Sequence, residues 1–430
     1  MEDPPRFLPA DVLTGILRRL PPRDLAVSRS VCKAWRAVVD AGRMLRPDLL
    51  PLSVGGIFIS LARQPAPPLL FAPPAMAPKI GGKLERYVKM EDCFDIPTII
   101  GCCNGLLFLD DQVVNPATRR WAPVPPCPVG PDAYNQGDVY LVFDPSVSPH
   151  YEVLLIQDTY SSYEGQLMEE GSEWPPSTCM MWVYSSRTGR WEKKPFVREG
   201  GPAGTVAEVR SAPTPEYRHA VYWHGALYAH CKNDFIMRIN VSNYKYQVVK
   251  LPAGVNAIVY FHLHLVKSKY GVYFALLCER RQLRVWFLNE FGAGHTEWVL
   301  KYDTNLETVL AQFSLDHDDC PINRPWMILQ DDNYNNEDGS FEWDFENNNL
   351  LEIIEGADVK CYSGFIYIFG FHPFKEVVFL YLSNGRVVAC HLNNSKIQDL
   401  GQLHLPYRPD VIDTTFVYTP CWMGELSEHY

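Results

Sequence analysis

The chain has 430 residues, 47% of them hydrophobic and 21% charged, which excludes a mainly disordered or collagen-like polymer and leaves room for roughly one to three packed domains. Its net charge of −11 withholds the overall positive field that non-specific nucleic-acid binding needs. An aromatic share of 13% together with 35 prolines favours many short strands punctuated by turns over an all-helical build.

The opening MEDPPRF lacks the basic and apolar regions of a secretory signal, so no export is expected. Helical periodicity follows at once. Leu8, Val12, Leu13, Ile16, Leu17 and Leu20 recur at three- and four-residue steps, with Pro9 placed to open a helix and Asp11 in its first turn to favour the helix dipole. Pro21 and Pro22 end that segment. A second short helix is expected from Pro22 through Leu25, and a third carries Val31, Ala34, Trp35 and Val38 on one stripe. A unit of about 40 residues buries too little to be secure alone, so this head, over residues 1–48, is expected to lean on a partner. It holds nine basic against six acidic residues, a surplus of three that leaves −14 to the remainder.

From residue 49 to 430 the period is strand-like, and a second domain is expected there. The longest apolar stretch, Leu49 to Ala62, has 14 residues broken by Pro51, Gly55 and Gly56, too short to cross about 30 Å of hydrocarbon, so no membrane contact is expected. Six prolines between residues 63 and 78 favour an extended spacer, within which Leu69, Leu70 and Phe71 can form a short strand. Asn104 to Val114, Tyr140 to Gln157, Met180 to Trp191, Ala220 to Cys231, Tyr270 to Asn289, Phe365 to Phe371 and Val377 to Leu392 read as hairpins in series.

One unit recurs. VVNPATRRWAPVP sets Asn115, Thr118 and Trp121 around a tight turn, and WVYSSRTGRWEKKP repeats it with Ser185, Thr188 and Trp191; INVSNYKYQVVKLP, with Tyr246, and HLNNSKIQDLG, with Ile397, are looser copies. Asn or Ser would cap the turn while the large residue entering the return strand packs between sheets. The steps from Trp121 to Trp191, Tyr246 and Trp298 are 70, 55 and 52 residues, in the range of propeller blades. The expected fold is therefore α+β and multidomain, a small three-helix head followed by a mainly-β, propeller-like domain of six to eight blades. An irregular pair of β-sandwiches is the competing build. Asp316 to Asn349, acidic and Asn-rich, reads as a long solvated loop in a late blade.

LPADVLTGILRRLPPRDLAVSRSVCKAWRAVV resembles the F-box, with Leu8, Pro9, Asp11, Val12, Ile16, Leu17, Leu20, Pro21, Leu25, Arg29, Val31, Cys32, Lys33, Trp35 and Arg36 on matching positions. Ala26, Val27 and Ser28 depart from residues frequent in plant members. The resemblance implies docking onto a Skp1-like adaptor, and through it onto a cullin and a RING protein, with Leu8, Pro9, Asp11, Val12, Ile16, Leu17, Leu20, Pro21, Leu25, Val31, Cys32 and Trp35 as the adaptor-binding set. The second domain would then select an unidentified protein substrate, making the chain the substrate-receptor subunit of an SCF-type ubiquitin ligase and not itself an enzyme. CCNGLLFLDDQVVNPATRRW, GFHPFKEVVFLYLSNGRVVACHLNNSKIQDLG and YTPCWMGEL are similar to the F-box-associated regions of plant F-box proteins of a grass-type group, which implies a kelch-like β fold.

Catalytic and metal signals are weak. No GxxxxGK[ST], HExxH or GxSxG stands in the sequence, and SSRTGRW departs from the Asp-box pattern of sialidases at Arg187. Cys102 and Cys103 are adjacent, and His262 with His264 lacks further ligands nearby, so no metal and no cofactor are expected. Asp331, Asn333, Asn335 and Glu342 imitate a calcium loop, but Asn336 replaces its glycine, and a solvated acidic loop is the favoured reading. The 12 cysteines are scattered, as suits free thiols in cytosol or nucleus. Two other readings compete: an adaptor-bound interaction protein without a degradative role, and a glycan- or ligand-binding propeller.

Overall fold

A computed structural model of the protein describes residues 9–20, 31–42, 53–61, 67–76, 97–109, 111–129, 137–157, 169–211, 220–231, 235–252, 263–268, 270–278, 281–291, 295–314, 326–329, 350–352, 364–394, 396–403 and 412–422, with a few single positions and pairs between them. The head begins with α1 (Ala10–Leu17), preceded by Pro9 at φ −52°, whose carbonyl accepts the Leu13 N–H at 3.0 Å. Proline suits that place because the first turn leaves its N–H groups unsatisfied anyway. Leu25, Ser28 and Val31 are helical, while the rest of the second expected helix lies outside the described residues.

The last head helix is α2 (Lys33–Ala41). Leu13, Leu17, Leu25, Val39 and Met44 form a small core, flanked by half-buried Leu20, Trp35 and Val38. The buried side of α2 is thus Trp35, Val38 and Val39, rotated from the expected stripe, which leaves Val31 and Ala34 exposed. Leu13 and Leu17, one turn apart on α1, fix that rotation by meeting α2 on its far-end valines.

The body's described strands form six four-stranded units. Unit 1 starts with β1 (Gly56–Leu61) and β2 (Leu69–Ala72), the latter a strand inside the proline-rich stretch, as expected. Unit 2 is the meander β3 (Ile99–Cys103), β4 (Leu106–Leu109), β5 (Gln112–Asn115) and β6 (Arg120–Pro123). Unit 3 holds β7 (Gly137–Val142), β8 (Glu152–Gln157), β10 (Thr178–Ser185) and β11 (Arg190–Glu199), with β9 (Glu173–Trp174) set apart on a ribbon with β12 (Gly204–Thr205), which leads into α3 (Val206–Ser211). Unit 4 is β13 (Ala220–Trp223), β14 (Ala226–Cys231), β15 (Phe235–Asn240) and β16 (Lys245–Lys250).

Unit 5 is β17 (Leu263–Ser268), β18 (Gly271–Cys278), β19 (Gln282–Phe291) and β20 (His295–Asn305), followed by α4 (Glu307–Ser314). Next, β21 (Met327–Ile328) returns to pair with β2, and β22 (Leu350–Glu352) pairs with the last strand of unit 6. Unit 6 is β23 (Ile366–Phe371), β24 (Val377–Leu382), β25 (Arg386–His391) and β26 (Lys396–Gln402). Finally β27 (Ile412–Tyr418) pairs antiparallel with β1 and completes unit 1, and β28 (Glu428–His429) pairs with β6. The first and last parts of the body thereby share one sheet, the clasp of a propeller-like ring.

Burial explains the two kinds of strand. Val377–Leu382 is buried at every position, because a middle strand is covered on both faces, and its sequence is a continuous apolar run. Outer Arg190–Glu199 is mostly exposed and reads as charge interleaved with Trp191 and Phe196.

The recurrent turns behave largely as expected. Asn115 Oδ1 accepts the N–H groups of Ala117 and Thr118 at 3.1 and 3.3 Å, and Asn240 Oδ1 those of Ser242 and Asn243 at the same two distances. At Ser185 the carbonyl takes the role instead, accepting from Thr188 and Gly189. Trp121, Trp191, Tyr246, Trp298 and Ile397 all fall in the fourth strand of their meanders. Trp191 Nε1 donates to Pro125 O at 2.7 Å and Trp298 Nε1 to Lys250 O at 2.8 Å, each tying its unit to the chain of the unit before.

The stretch 316–349 is more than a solvated loop. Trp326 is buried against Phe71 and Phe379, and the strand at 327–328 seals unit 1. Its acidic and Asn-rich composition hid the apolar WMIL run. The remainder, including the calcium-loop imitation at 331–342, lies outside the described residues.

Candidate functional site

Two places can engage partners. The first is the head. Val12 and Ile16, one turn apart on α1, are 44% and 46% exposed, and Val31 is 63% exposed. Pro9 and Asp11 are exposed beside them, Leu20, Cys32 and Trp35 are half-buried, and Leu17 and Leu25 lie in the head's own core. Leu8 and Pro21 lie outside the described residues. Val12 and Ile16 thus form an exposed apolar pair on α1, whose other side is held by buried Leu13 and Leu17, and Val31 adds a further exposed apolar side chain.

The second place is a cavity of about 910 Å³ along the axis of the ring, lined by all six innermost strands: β3, β7, β13, β17, β23 and β27. Asp111, Asp138, Asp413, His264 and Lys267 bring charge or polarity to its wall. Lys267 Nζ donates to Asn104 Oδ1 at 2.5 Å and to Tyr222 O at 3.3 Å, while Asn104 Nδ2 donates to Phe143 O at 2.6 Å. A chain of polar contacts therefore ties units 2, 3, 4 and 5 together around the lysine.

Burial pushes the Cys102 thiol up to about 12, with neighbouring Cys103 adding to the effect and Lys267 opposing it. The Cys103 thiol is raised for the same first reason. Neutral thiols withhold the thiolate that covalent chemistry would use. Burial, and then Asp144, likewise holds Tyr222 protonated, its pKa at about 12. Among the described residues no group of three His, Cys, Asp or Glu side chains is placed to hold a metal ion. His264 does line the cavity; His262 lies outside the described residues. Sequence reasoning missed the cavity's Lys267, Asp138 and Asp413, whose one legible sign is a charge inside an otherwise apolar strand such as LHLVKS.

Comparison with known proteins finds a matching family for the head and another for the body. Residues 6–45 match the F-box-like family, and residues 83–321 match the family described as F-box protein At3g26010-like, beta-propeller. The chain is 22% identical over 335 residues to the Arabidopsis thaliana F-box/kelch-repeat protein At1g15680, covering 73% of this chain and 75% of that one. It is 23% identical over 334 residues to the Arabidopsis thaliana F-box protein At5g07610, covering 70% and 71%. Among solved structures, the crystal structure of HIRA(644-1017) matches at 10% identity with a TM-score of 0.23, over 62% of this chain and 56% of that one, a likeness too slight to bear on the fold.

An F-box head followed by a propeller-like body defines an F-box protein of the substrate-receptor type, a typically non-catalytic class that meets an adaptor at one end and a protein target at the other. The chain belongs to the F-box protein At3g26010-like, beta-propeller family.

Proposed function

We propose that this protein is the substrate-receptor subunit of an SCF-type ubiquitin ligase. Its head, to about residue 48, docks on a Skp1-like adaptor and through it on a cullin and a RING protein, and residues 49–430 hold the target. It acts in the cytosol or nucleus and contributes position, not chemistry: holding a target lysine near a charged ubiquitin carrier raises effective concentration. The observation that carries this reading is the exposure of apolar Val12, Ile16 and Val31 on a matched F-box. Leu17 and Leu25 would serve docking indirectly, by fixing the helices that present the patch.

The test is co-purification of the full chain with a Skp1 homologue, comparing wild type with a Val12→Glu, Ile16→Glu double variant. Both sites are solvent-exposed, so the fold should survive, while burying two carboxylates in an apolar contact should cut adaptor affinity by about a hundredfold or more. Undiminished capture would refute the assignment. Ubiquitin transfer to a bound target in the reconstituted complex then separates a degradative receptor from a mere adaptor-bound protein.

A further inference from the structure

The outer edges of the six units differ in one respect. β28 covers β6 in unit 2 and β22 covers β26 in unit 6, while unit 1 ends on β21, a strand of only two residues. Units 3 and 4 cover each other, because β11 pairs in parallel with β16 through Val197–Glu199 and Lys245–Gln247. Unit 5 ends on β20, 11 residues long, whose outer edge has no strand against it among the described residues. An edge strand presents alternate N–H and C=O groups ready to accept another strand.

Beside that edge lies a groove of about 750 Å³ between units 4 and 5. Val249, Leu251, Pro252, Trp286, Trp298 and Leu300 make its wall apolar, with Glu297 and Lys250 at its border. Val299 and Leu300 are 44% and 48% exposed. A bulge between Val285 and Trp286 leaves Lys301 as the extra residue on β20, turned away to Glu376 and the rings of Tyr270, Tyr273, Phe287 and Tyr302. The straight edge therefore runs from Thr296 to Leu300, and the bulge stops pairing beyond it.

We propose that Thr296–Leu300 of β20 is the docking edge for an extended segment of the protein target, which adds as a fifth strand to unit 5 and drops alternate apolar side chains into the neighbouring groove. The inference rests on the receptor reading and names the target-binding surface within it. The mode is one the fold already uses, since β21, β22 and β28 finish other units with strands of only two or three residues. The partner segment is apolar at alternate positions and basic between them. The apolar side chains match the groove, and the basic ones match exposed Glu297 on the strand itself and a body that carries −14, against which Lys250 of unit 4 is the one opposing charge lining the groove among the described residues.

The probe is a short capped peptide of alternating valine and lysine, with a proline-interrupted version as control, added to the full-length protein. Saturable binding that slows amide exchange at Thr296–Leu300 and shifts tryptophan emission is expected. Leu300→Glu should weaken it by about tenfold or more, with the melting temperature unchanged because the side chain is half in solvent. Equal binding of the interrupted peptide, protection elsewhere on the ring, or no saturable binding overturns the proposal. So does finding these amides fully protected before peptide is added, which would mean that another part of this chain covers the edge. Adaptor capture plays no part in the readout, so failure here leaves the receptor assignment standing, and loss of adaptor binding leaves this edge standing.

Discussion

His372 sits fully buried at the turn after β23, where its Nδ1 accepts the Phe374 N–H at 3.1 Å and its ring lies 6.3 Å from that of Phe379. Burial first, and the nearby Lys375 and His391 next, pull its pKa from the usual 6.5 down to about 3. Above pH 6.5 the folded and unfolded chains are both neutral here. Between about 6.5 and 3 the unfolded chain takes a proton that the folded chain refuses, so stability falls as pH falls, by on the order of 2 kcal/mol at about pH 5. His372→Gln, which keeps an acceptor but cannot titrate, should show a smaller drop in melting temperature between neutral pH and pH 5 than the wild type. An unchanged acid slope would place that pH dependence elsewhere. Asn115 works by hydrogen bonding alone: fully buried, it caps its own turn and donates through Nδ2 to Cys421 O at 2.9 Å. Asn115→Ala strands the Thr118 N–H and the Cys421 carbonyl, while the Ala117 N–H keeps the Tyr418 hydroxyl, and should cost about 1–3 kcal/mol in denaturant unfolding.

At the scale of the element, the spacing of large residues was legible because it has a mechanical cause. Trp121, Trp191, Tyr246, Trp298 and Ile397 enter the fourth strand of consecutive meanders, the place where a big side chain closes the wedge between neighbouring units. Trp191 shows how the closure divides: its ring lies 5.6 Å from that of Tyr184, and its Nε1 reaches Pro125 O. Trp191→Phe should therefore keep the ring contact and lose about 1 kcal/mol with the bond, read as a lower urea midpoint at unchanged slope. The rim strands at 327–328, 350–352 and 428–429 were not legible, since two or three residues carry no period. Nor was the rotation of α2, because Val31, Ala34, Trp35 and Val38 satisfy a helical stripe as well as Trp35, Val38 and Val39 do, and only the packing of Leu13 and Leu17 decides between them. The axial cavity was hidden for a related reason: it is made of residues from six strands spread through the sequence, none of them forming a local motif.

For the molecule as a whole, the decisive pairing joins its two ends. β27 supplies the innermost strand of unit 1 through Gly56↔Tyr418 to Leu61↔Ile412, and the residues after it reach into unit 2. Tyr418 is fully buried, edge-on to Phe58 at 5.4 Å, and its hydroxyl accepts the Ala117 N–H at 3.1 Å; Cys421 O receives the Asn115 amide. Gly105 shows how close the tail lies, since a Cβ there would fall 2.4 Å from Cys421 Cβ. A ring joined in this way cannot finish its core until the last strand arrives, which makes folding depend on a contact between the most distant parts of the body. Deleting residues 412–430 would strip the inner strand from unit 1 and uncover the cores of units 1, 2 and 6 together, so the truncated protein should lose its single cooperative melting transition and become sensitive to protease. Tyr418→Phe keeps the packing and removes the hydrogen bond from the Ala117 N–H, so it should melt as one unit with stability lower by about 1 kcal/mol. A truncated body that still melts in one sharp transition would show that the other five units close a core without the clasp.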